Sequence, residues 1–227
     1  MKKQLHIALM VPINNTTMAQ ELLAWLPSGT RCTTLRIPRG QGLLTKETIP
    51  AYMEQALQLA ASLAGTDIDL LAYGCTAASF LSGPAADVQL AHQLSALIGK
   101  PVVTTAQSMV LSLQDTNAKK IALVTPYQDE VNLQLKAFLA ASGIEVLAFD
   151  SLYAANVEEL GRIESGAVAS MARHTIQPEC DALFIACSQL PTYDIIAELS
   201  AEFERPVLSS IQATAWQIQC KLGLIAS

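Results

Sequence analysis

The sequence has few of the residues that mark several large classes of protein. Only 5% of its 227 residues are aromatic and 15% are charged, whereas 51% are hydrophobic. This composition excludes a disordered chain and is typical of a globular protein with a large core. Aspartate and glutamate (20) outnumber lysine and arginine (14), and the basic residues form no stripe along the chain. A nucleic acid partner is therefore not expected.

Long apolar runs are also missing. No stretch of about 18 residues is free of polar or charged side chains, so no membrane-spanning helix and no membrane partner are predicted. The first apolar stretch is interrupted by Pro12 and Asn14, which makes it too short for the hydrophobic region of a secretion signal. The sequence therefore predicts a cytoplasmic protein.

The cysteine pattern fits neither a disulfide framework nor a zinc site. The number of cysteines is odd, and none has the CxxC or Cys/His spacing of a metal site. They are Cys32, Cys75, Cys180, Cys187 and Cys220. The sequence also has no glycine-rich phosphate loop. We expect free thiols, no metal and no cofactor.

Short apolar segments alternate with longer segments of helical period, which is the pattern of an α/β protein. Strands are predicted at 6–11, 70–73, 101–104, 120–125, 145–149, 182–186 and 206–209, and helices at 49–64, 128–142 and 193–204. These strands are apolar on both faces. They therefore predict parallel sheets that helices cover on both sides.

An internal repeat of roughly 110 residues is the most informative feature of the sequence. Three blocks recur in the same order: IALMVP at 7–12 and IALVTP at 121–126, DLLAYGCT at 69–76 and DALFIACS at 181–188, KPVVTTAQ at 100–107 and RPVLSSIQ at 205–212. This period is too long for a solenoid repeat. We interpret it as a duplicated, Rossmann-like (flavodoxin-like) half with its own parallel sheet.

The repeat divides the chain into two pseudo-symmetric halves, 1–113 and 114–227. The last helix of the first half is left open to pack on either half. Ligands of such sheets bind beyond the carboxyl ends of the strands. We therefore expect an active site in a cleft between the halves.

Cys75 and Cys187 occupy equivalent positions in the two halves, each directly after a predicted strand. A thiol placed before a helix N-terminus has its thiolate favoured by the helix dipole and by backbone amides, so it can act as a base or a nucleophile. An isolated cysteine at a strand end is more often a packing residue. Because two cysteines recur at the ligand end of both halves, we favour a catalytic pair.

Five motifs carry a family resemblance. They are VPINNTT at 11–17, YGC at 73–75, LVTPY at 123–127, NVE at 156–158 and ACS at 186–188. Together they resemble the aspartate/glutamate racemase superfamily, and more closely its maleate cis–trans isomerase and arylmalonate decarboxylase branches. The resemblance covers nearly the whole chain. It implies that Cys75 and Cys187 are catalytic thiols on opposite sides of the substrate, and that the protein is a homodimer, although no interface is identified.

The resemblance also implies a set of substrate-binding residues. They are Asn15, Thr76, Tyr127, Asn156 and Ser188, with the backbone amides of Thr76 and Ser188 completing anion cradles. Each side chain has a plainer interpretation as well. Asn15 and Asn156 are good helix caps, the latter with Glu159 as partner, and Tyr127 suits a half-buried ring.

Few cations lie near these motifs, since only Arg36, Arg39 and Lys46 offer positive charge. Neutral donors are therefore expected to bind the carboxylates of a small dicarboxylate substrate, which suits carbanion chemistry without a cofactor. Our leading hypothesis is maleate-to-fumarate isomerisation, with a Cys75 thiolate adduct and Cys187 handling the proton.

Three alternatives stay open from the sequence. The first is a two-base racemase of an amino acid or a 2-aryl acid, in which one thiolate removes the α-proton and the other thiol returns one. The second is an arylmalonate-type decarboxylase that needs only Cys187; the resemblance implies glycine where this chain has Cys75. The third is a binding module without catalysis.

Overall fold

Both halves of the chain alternate strands and helices. In the computed structural model, which describes residues 4–39 and 42–225, the first half contains β1 (His6–Pro12), α1 (Met18–Trp25), β2 (Arg31–Ile37), α2 (Ile49–Ala61), β3 (Leu70–Tyr73), α3 (Thr76–Leu81), α4 (Pro84–Ile98), β4 (Val102–Thr104) and α5 (Thr105–Asp115). The second contains β5 (Lys120–Thr125), α6 (Asp129–Ala140), β6 (Glu145–Ser151), α7 (Val157–Gly161), α8 (Ser165–Thr175), β7 (Ala182–Ile185), α9 (Ile196–Phe203), β8 (Val207–Ser209) and α10 (Ser210–Lys221).

Each half holds one parallel four-stranded sheet with the same topology. The strand order is β2-β1-β3-β4 in the first half and β6-β5-β7-β8 in the second. The central strands β3 and β7 bury every residue because helices cover both faces of each sheet. The predicted α/β class, with two flavodoxin-like halves, is confirmed.

The repeated sequence blocks perform the same structural tasks in both halves. The carboxylates of Asp69 and Asp181 each accept a 2.8 Å hydrogen bond from the first residue of the neighbouring central strand. The hydroxyls of Thr104 and Ser209 each cap the following helix by accepting a 3.2 Å bond from the amide three residues later. The sequence matches therefore mark equivalent positions in the fold.

All seven predicted strands are present, but β2 was not predicted. Among the described residues it pairs with β1 alone at the edge of the sheet, and along RCTTLRI Ile37 is the one buried residue. The predicted helix at 49–64 ends earlier, at Ala61, and the one at 193–204 begins later, at Ile196. This edge strand, whose exposed positions are polar, lacks the apolar run by which the other strands were found.

The two halves share a hydrophobic core through the C-terminal helix. Ile211, Ala215 and Ile218 of α10 pack with residues of β1 and α1 in the first half. A division at 113–114 falls within the last turn of α5, which itself packs against α10. The domain boundary thus stays a prediction, and the halves meet in a continuous core.

The described residues form no membrane-spanning helix, no metal-binding cluster and no disulfide bond. No helix among residues 4–39 and 42–225 is long and apolar enough to cross a membrane. In the same part of the chain, no group of three or more metal-binding side chains comes together. All five cysteines are free thiols, as the sequence predicts.

Candidate active site

The carboxyl ends of the central strands of both sheets meet at one cleft. It encloses a cavity of about 50 Å³. Its described lining consists of Pro12, Asn14, Asn15, Arg39, Leu43, Leu44, Cys75, Thr76, Ala77, Tyr127, Val131, Val157, Leu160, Cys187, Ser188 and Gln189. Both predicted thiols therefore lie in the same cleft, one from each half.

Cys75 lies between the end of β3 and the first turn of α3, where it is the N-cap residue. Burial raises the pKa of its thiol above the usual range. The amide of Ala78, the hydroxyl of Tyr52, the guanidinium of Arg39 and the amide of Ala77 act in the opposite direction. Each of these groups favours the thiolate by hydrogen bonding or positive charge.

The residue before Cys75 must be small. A Cβ atom added at Gly74 would lie 2.6 Å from Sδ of Met18 and 2.9 Å from side-chain carbons of Leu9 and Val11. The amide of Gly74 also donates a 2.7 Å hydrogen bond to the carbonyl of Met10. This tight packing against β1 and α1 fixes the turn that carries Cys75 into the cleft.

Cys187 follows β7 in an unusual backbone conformation. Its φ of +145° is one that residues with a side chain rarely adopt, and its amide donates a 3.0 Å bond to Oγ of Ser210. Burial raises the pKa of the Cys187 thiol to about 11. The amide of Gln189 and the hydroxyl of Tyr127 lower this pKa, while a negative charge on Cys75 raises it. Burial therefore favours the protonated form of Cys187.

Tyr127 and Thr76 bring two hydroxyls without partners into the cleft. Both oxygens are buried, and neither forms a hydrogen bond within the described residues. The ring of Tyr127 is held edge-on to Phe80, with centroids 5.5 Å apart. Burial also raises the pKa of Tyr127 well above its ordinary value, so the phenol keeps its proton. Two neutral donors thus remain for a ligand.

Asn15 joins the first half to the loop that carries Cys187. Its Nδ2 donates to the carbonyl of Ser188 at 3.0 Å and to Oγ of Ser188 at 3.3 Å. Its Oδ1 accepts bonds from the amides of Thr17 and Met18 at the start of α1. Oγ of Ser188 in turn donates to the carbonyl of Gly74. Both side chains have structural tasks, and their contact with substrate stays a prediction.

Asn156 caps α7 and is absent from the described lining of the cleft. Its Oδ1 accepts 3.0 Å bonds from the amides of Glu158 and Glu159, and its Nδ2 donates to Oε1 of Glu159. Val157 and Leu160 of the same helix do line the cleft. Substrate binding by Asn156 stays a prediction, and it requires Nδ2 to leave Glu159.

Gln189 was missed by the sequence analysis. Its Oε1 accepts a 2.9 Å bond from the amide of Thr16, and its Nε2 donates to Oγ1 of the same residue. Glu21 makes a parallel contact by accepting bonds from the amide and hydroxyl of Thr192. These contacts fix the Cys187 loop on the first half. Gln189 belongs to no recognisable motif. The one feature of the sequence that could have indicated a role for it is its position two residues after Cys187.

The three basic residues near the motifs differ in their roles. Arg36 donates to the backbone carbonyls of Ile13 and Asn15, and so holds the loop after β1. Arg39 lines the cleft, whereas Lys46 is absent from its described lining. Among the described lining residues Arg39 is the one that carries a positive charge. The other polar groups there are neutral donors and the two thiols.

Two buried thiols from duplicated halves, facing one small cleft with neutral donors beside them, define a class of α/β enzyme in which the cysteines act on a substrate held between them. A sequence profile of the arylmalonate decarboxylase family matches residues 10–227, and the chain belongs to this family. The resemblance to the isomerase and decarboxylase branches of the racemase superfamily is confirmed.

Individual relatives are similar over most of their length. Maleate isomerase of Geobacillus stearothermophilus is 29% identical over 99% of this chain and 94% of its own. Arylmalonate decarboxylase of Bordetella bronchiseptica is 27% identical over 78% of this chain and 75% of its own. A crystallised serine-for-cysteine mutant of Nocardia farcinica maleate cis–trans isomerase, with a covalently bound succinylcysteine intermediate, is 25% identical, covers 97% of this chain and 94% of its own, and superimposes with a TM-score of 0.90.

Proposed function

We propose that this protein is a cofactor-independent isomerase that converts maleate into fumarate. The observation that carries the proposal is the pair of buried thiols, Cys75 and Cys187, at equivalent strand ends of one cleft. The similarity to maleate isomerases, one of them with a succinylcysteine intermediate, supports the same chemistry.

The carboxylates of the substrate are bound mainly by neutral donors in this proposal. The hydroxyls of Thr76 and Tyr127 have no partners among the described residues and are buried in the cleft. They are therefore available to donate hydrogen bonds to the carboxylates. The first turn of α3 adds backbone amides with a partial positive charge. Arg39 supplies the positive charge for one carboxylate of the dianion.

Cys75 is the nucleophile in the proposed reaction. Its thiolate forms a bond to C2 of maleate, and the π electrons of the double bond move to C3 and into the adjacent carboxylate. Cys187 then transfers its proton to C3, which gives a succinyl thioether with a single C2–C3 bond. Rotation about this bond places the two carboxylates on opposite sides.

The return step restores the Cys75 thiolate and the Cys187 thiol. The Cys187 thiolate removes a proton from C3, the double bond forms again, and the electrons of the C–S bond leave with the Cys75 sulfur. Fumarate is released, and no atom is gained or lost overall. The coupling between the two thiols supports this order, because a thiolate at Cys75 raises the pKa of Cys187 and favours its protonated form.

Decarboxylation of an arylmalonate is the second candidate, since the family profile carries that description. Such a reaction needs one proton donor, and the cleft offers Cys187 for it. One feature favours the isomerase, namely the second buried thiol at Cys75.

Proton NMR of the reduced protein with maleate tests the proposal. The olefinic signal of maleate should disappear while that of fumarate grows, and the Cys75→Ser variant should give no conversion. The control is the exposed-face variant Tyr193→Phe, which keeps both thiols. Unchanged maleate, together with carbon dioxide release from phenylmalonate, would instead assign the decarboxylase reaction.

The proposal includes a cytoplasmic location and a homodimer. Five free thiols, two of them in the proposed site, fit a reducing compartment. The homodimer rests on the family resemblance. Sedimentation equilibrium checks it, since a dimer has twice the 24.3 kDa mass of the chain, and a single-chain mass would contradict it.

A further inference from the structure

We propose that Gln189 is a positioning residue for Cys187. Its side chain is anchored to Thr16 of the first half, and this anchor holds the backbone amide of Gln189 against the sulfur of Cys187. The use of Cys187 as the proton donor rests on the proposed function, whereas the positioning of its sulfur does not.

Both ends of the Gln189 side-chain amide bind to one residue. Oε1 accepts a 2.9 Å hydrogen bond from the amide of Thr16, and Nε2 donates a 2.9 Å bond to Oγ1 of Thr16. Gln189 is 6% exposed, so little water competes for these bonds. Two hydrogen bonds to a planar group fix its orientation as well as its position, and Gln189 therefore keeps one arrangement relative to the first half.

The backbone of the same residue reaches the thiol. The amide of Gln189 donates a hydrogen bond to Sγ of Cys187, with nitrogen and sulfur 3.5 Å apart. An amide N–H at this place stabilises a negative charge on the sulfur. The placement of Gln189 therefore influences how readily Cys187 releases and regains its proton.

The Cys187 segment needs an anchor because its backbone is strained. A φ of +145° costs free energy in a residue with a side chain, and it persists where the surrounding structure holds it. The amide of Cys187 bonds to Oγ of Ser210, and the carbonyl of Ser188 accepts a bond from Asn15. These contacts fix the two residues before the donor amide, and the side chain of Gln189 fixes the donor residue itself.

The first half carries alanine at the equivalent position. The repeated blocks align Cys75 with Cys187, and so Ala77 with Gln189. Ala77 lines the cleft as Gln189 does, but its methyl group cannot form a hydrogen bond. The duplication therefore does not account for Gln189, and its anchor distinguishes the second thiol from the first.

Charged and ionisable groups face this segment from both halves. Cys75, Tyr127 and Arg39 line the cleft together with Cys187. Glu21 of α1 accepts bonds from the amide and hydroxyl of Thr192, further along the same segment. Glu21 thus joins the halves in a similar way, but it binds Thr192 and not the residue whose amide faces the sulfur. It offers a matched control for an anchor that holds the segment alone.

The test compares Gln189→Met, which keeps the length of the side chain and loses both bonds to Thr16, with Glu21→Ala, which removes both bonds to Thr192. Methyl methanethiosulfonate, a small thiolate-selective reagent, modifies each protein in a Cys75→Ser background, where the neighbouring thiol cannot react. Peptide mass spectrometry measures the rate at Cys187 below its pKa of about 11. Loss of a well-placed hydrogen bond to the charged sulfur should raise this pKa by about one unit and slow modification about tenfold.

The expected pattern is specific to Gln189. Gln189→Met slows the modification of Cys187, whereas Glu21→Ala keeps the rate of the parent protein. With Cys75 restored, Gln189→Met lowers kcat on maleate and leaves KM nearly unchanged. Thr16→Val loses the bond to Nε2 alone, so it should slow modification by a smaller factor. Because Thr16 is exposed, this variant carries the same test if Gln189→Met does not fold.

Three results would overturn the proposal: an unchanged rate at Cys187 in both Gln189→Met and Thr16→Val, an equal decrease in Glu21→Ala, or faster modification in Gln189→Met. The last would show that Gln189 only closes the segment over the thiol. Slower modification of Cys187 in a protein that leaves maleate untouched would support Gln189 and contradict the proposed function.

Discussion

The two halves of the molecule share one topology but differ in the surroundings of their cysteines. Cys75 has an ordinary extended backbone, with φ −123°, and faces two amides of a helix. Cys187 has a φ of +145°, and its sulfur likewise faces two amides, those of Gln189 at 3.5 Å and of Leu190. Arg39 and Tyr52 favour a negative charge on Cys75. The neutral phenol of Tyr127 lowers the pKa of Cys187.

This difference shows how a symmetric pair of thiols acquires two roles. The duplication supplies a thiol at each strand end, and we predict that residues outside the repeat decide which thiol ionises first. Once Cys75 carries the charge, its field raises the pKa of Cys187. In the proposed reaction, the first half therefore provides the nucleophile and the second half the acid.

Replacement of single cysteines should produce the largest change. Cys75→Ser removes the covalent nucleophile and should reduce turnover of maleate at least about ten-thousand-fold. Cys187→Ser should also abolish turnover, because the adduct cannot receive its proton. Cys220→Ser, outside the cleft, is the control and should retain activity. A Cys75→Ser variant that keeps a substantial part of the wild-type turnover of maleate would contradict the assignment of the nucleophile to the first half.

The pH profile tests the different charge states of the thiols. The active form has Cys75 deprotonated and Cys187 protonated, and the pKa of each is raised. The value of kcat/KM should therefore increase about tenfold per pH unit above pH 7 and decrease near pH 11, where Cys187 loses its proton. Initial rates at constant ionic strength measure it. A flat or falling profile between pH 7 and 9 would contradict the assignment.

Tyr127→Phe removes the free donor beside Cys187. The loss of a hydrogen bond to a charged carboxylate should lower kcat/KM by about ten- to a hundred-fold. The fold should be unaffected, because the hydroxyl has no partner among the described residues and the ring still packs on Phe80. Steady-state kinetics and a thermal melt measure both effects. An unchanged kcat/KM would remove Tyr127 from the site.

Asn15→Ala should weaken the contact between the halves. It removes the bonds to Ser188 and the cap of α1, and the free energy of unfolding should fall by about 1–2 kcal/mol. Asn14→Ala, a neighbour that also lines the cleft, is the matched control and should cost less. Urea denaturation measures the free energy of unfolding of both variants. An equal decrease in the two would show that Asn15 does not hold the Cys187 loop.

The sequence predicted the α/β class, seven of the eight strands and both cleft thiols. These features leave local or repeated signals, such as apolar runs and a cysteine followed by a hydroxyl residue in both halves. The structure also places Thr76, Tyr127, Asn15 and Ser188 at the cleft, and their binding of substrate stays a prediction. It places Asn156 beside the cleft as a helix cap.

The residues that were missed depend on contacts between distant segments. Gln189 bonds to Thr16 across 173 residues. It does not recur in the other half, so the repeat could not reveal it. The edge strand β2 was missed for a local reason, since its exposed positions carry polar side chains.

Mass spectrometry of the Cys187→Ser variant after incubation with maleate tests the central claim most directly. If Cys75 is the nucleophile and Cys187 the acid, the adduct cannot complete its cycle, and peptide mapping should find one substrate mass added at Cys75. An adduct at another cysteine, or none while maleate still turns over, would contradict the division of roles between the halves.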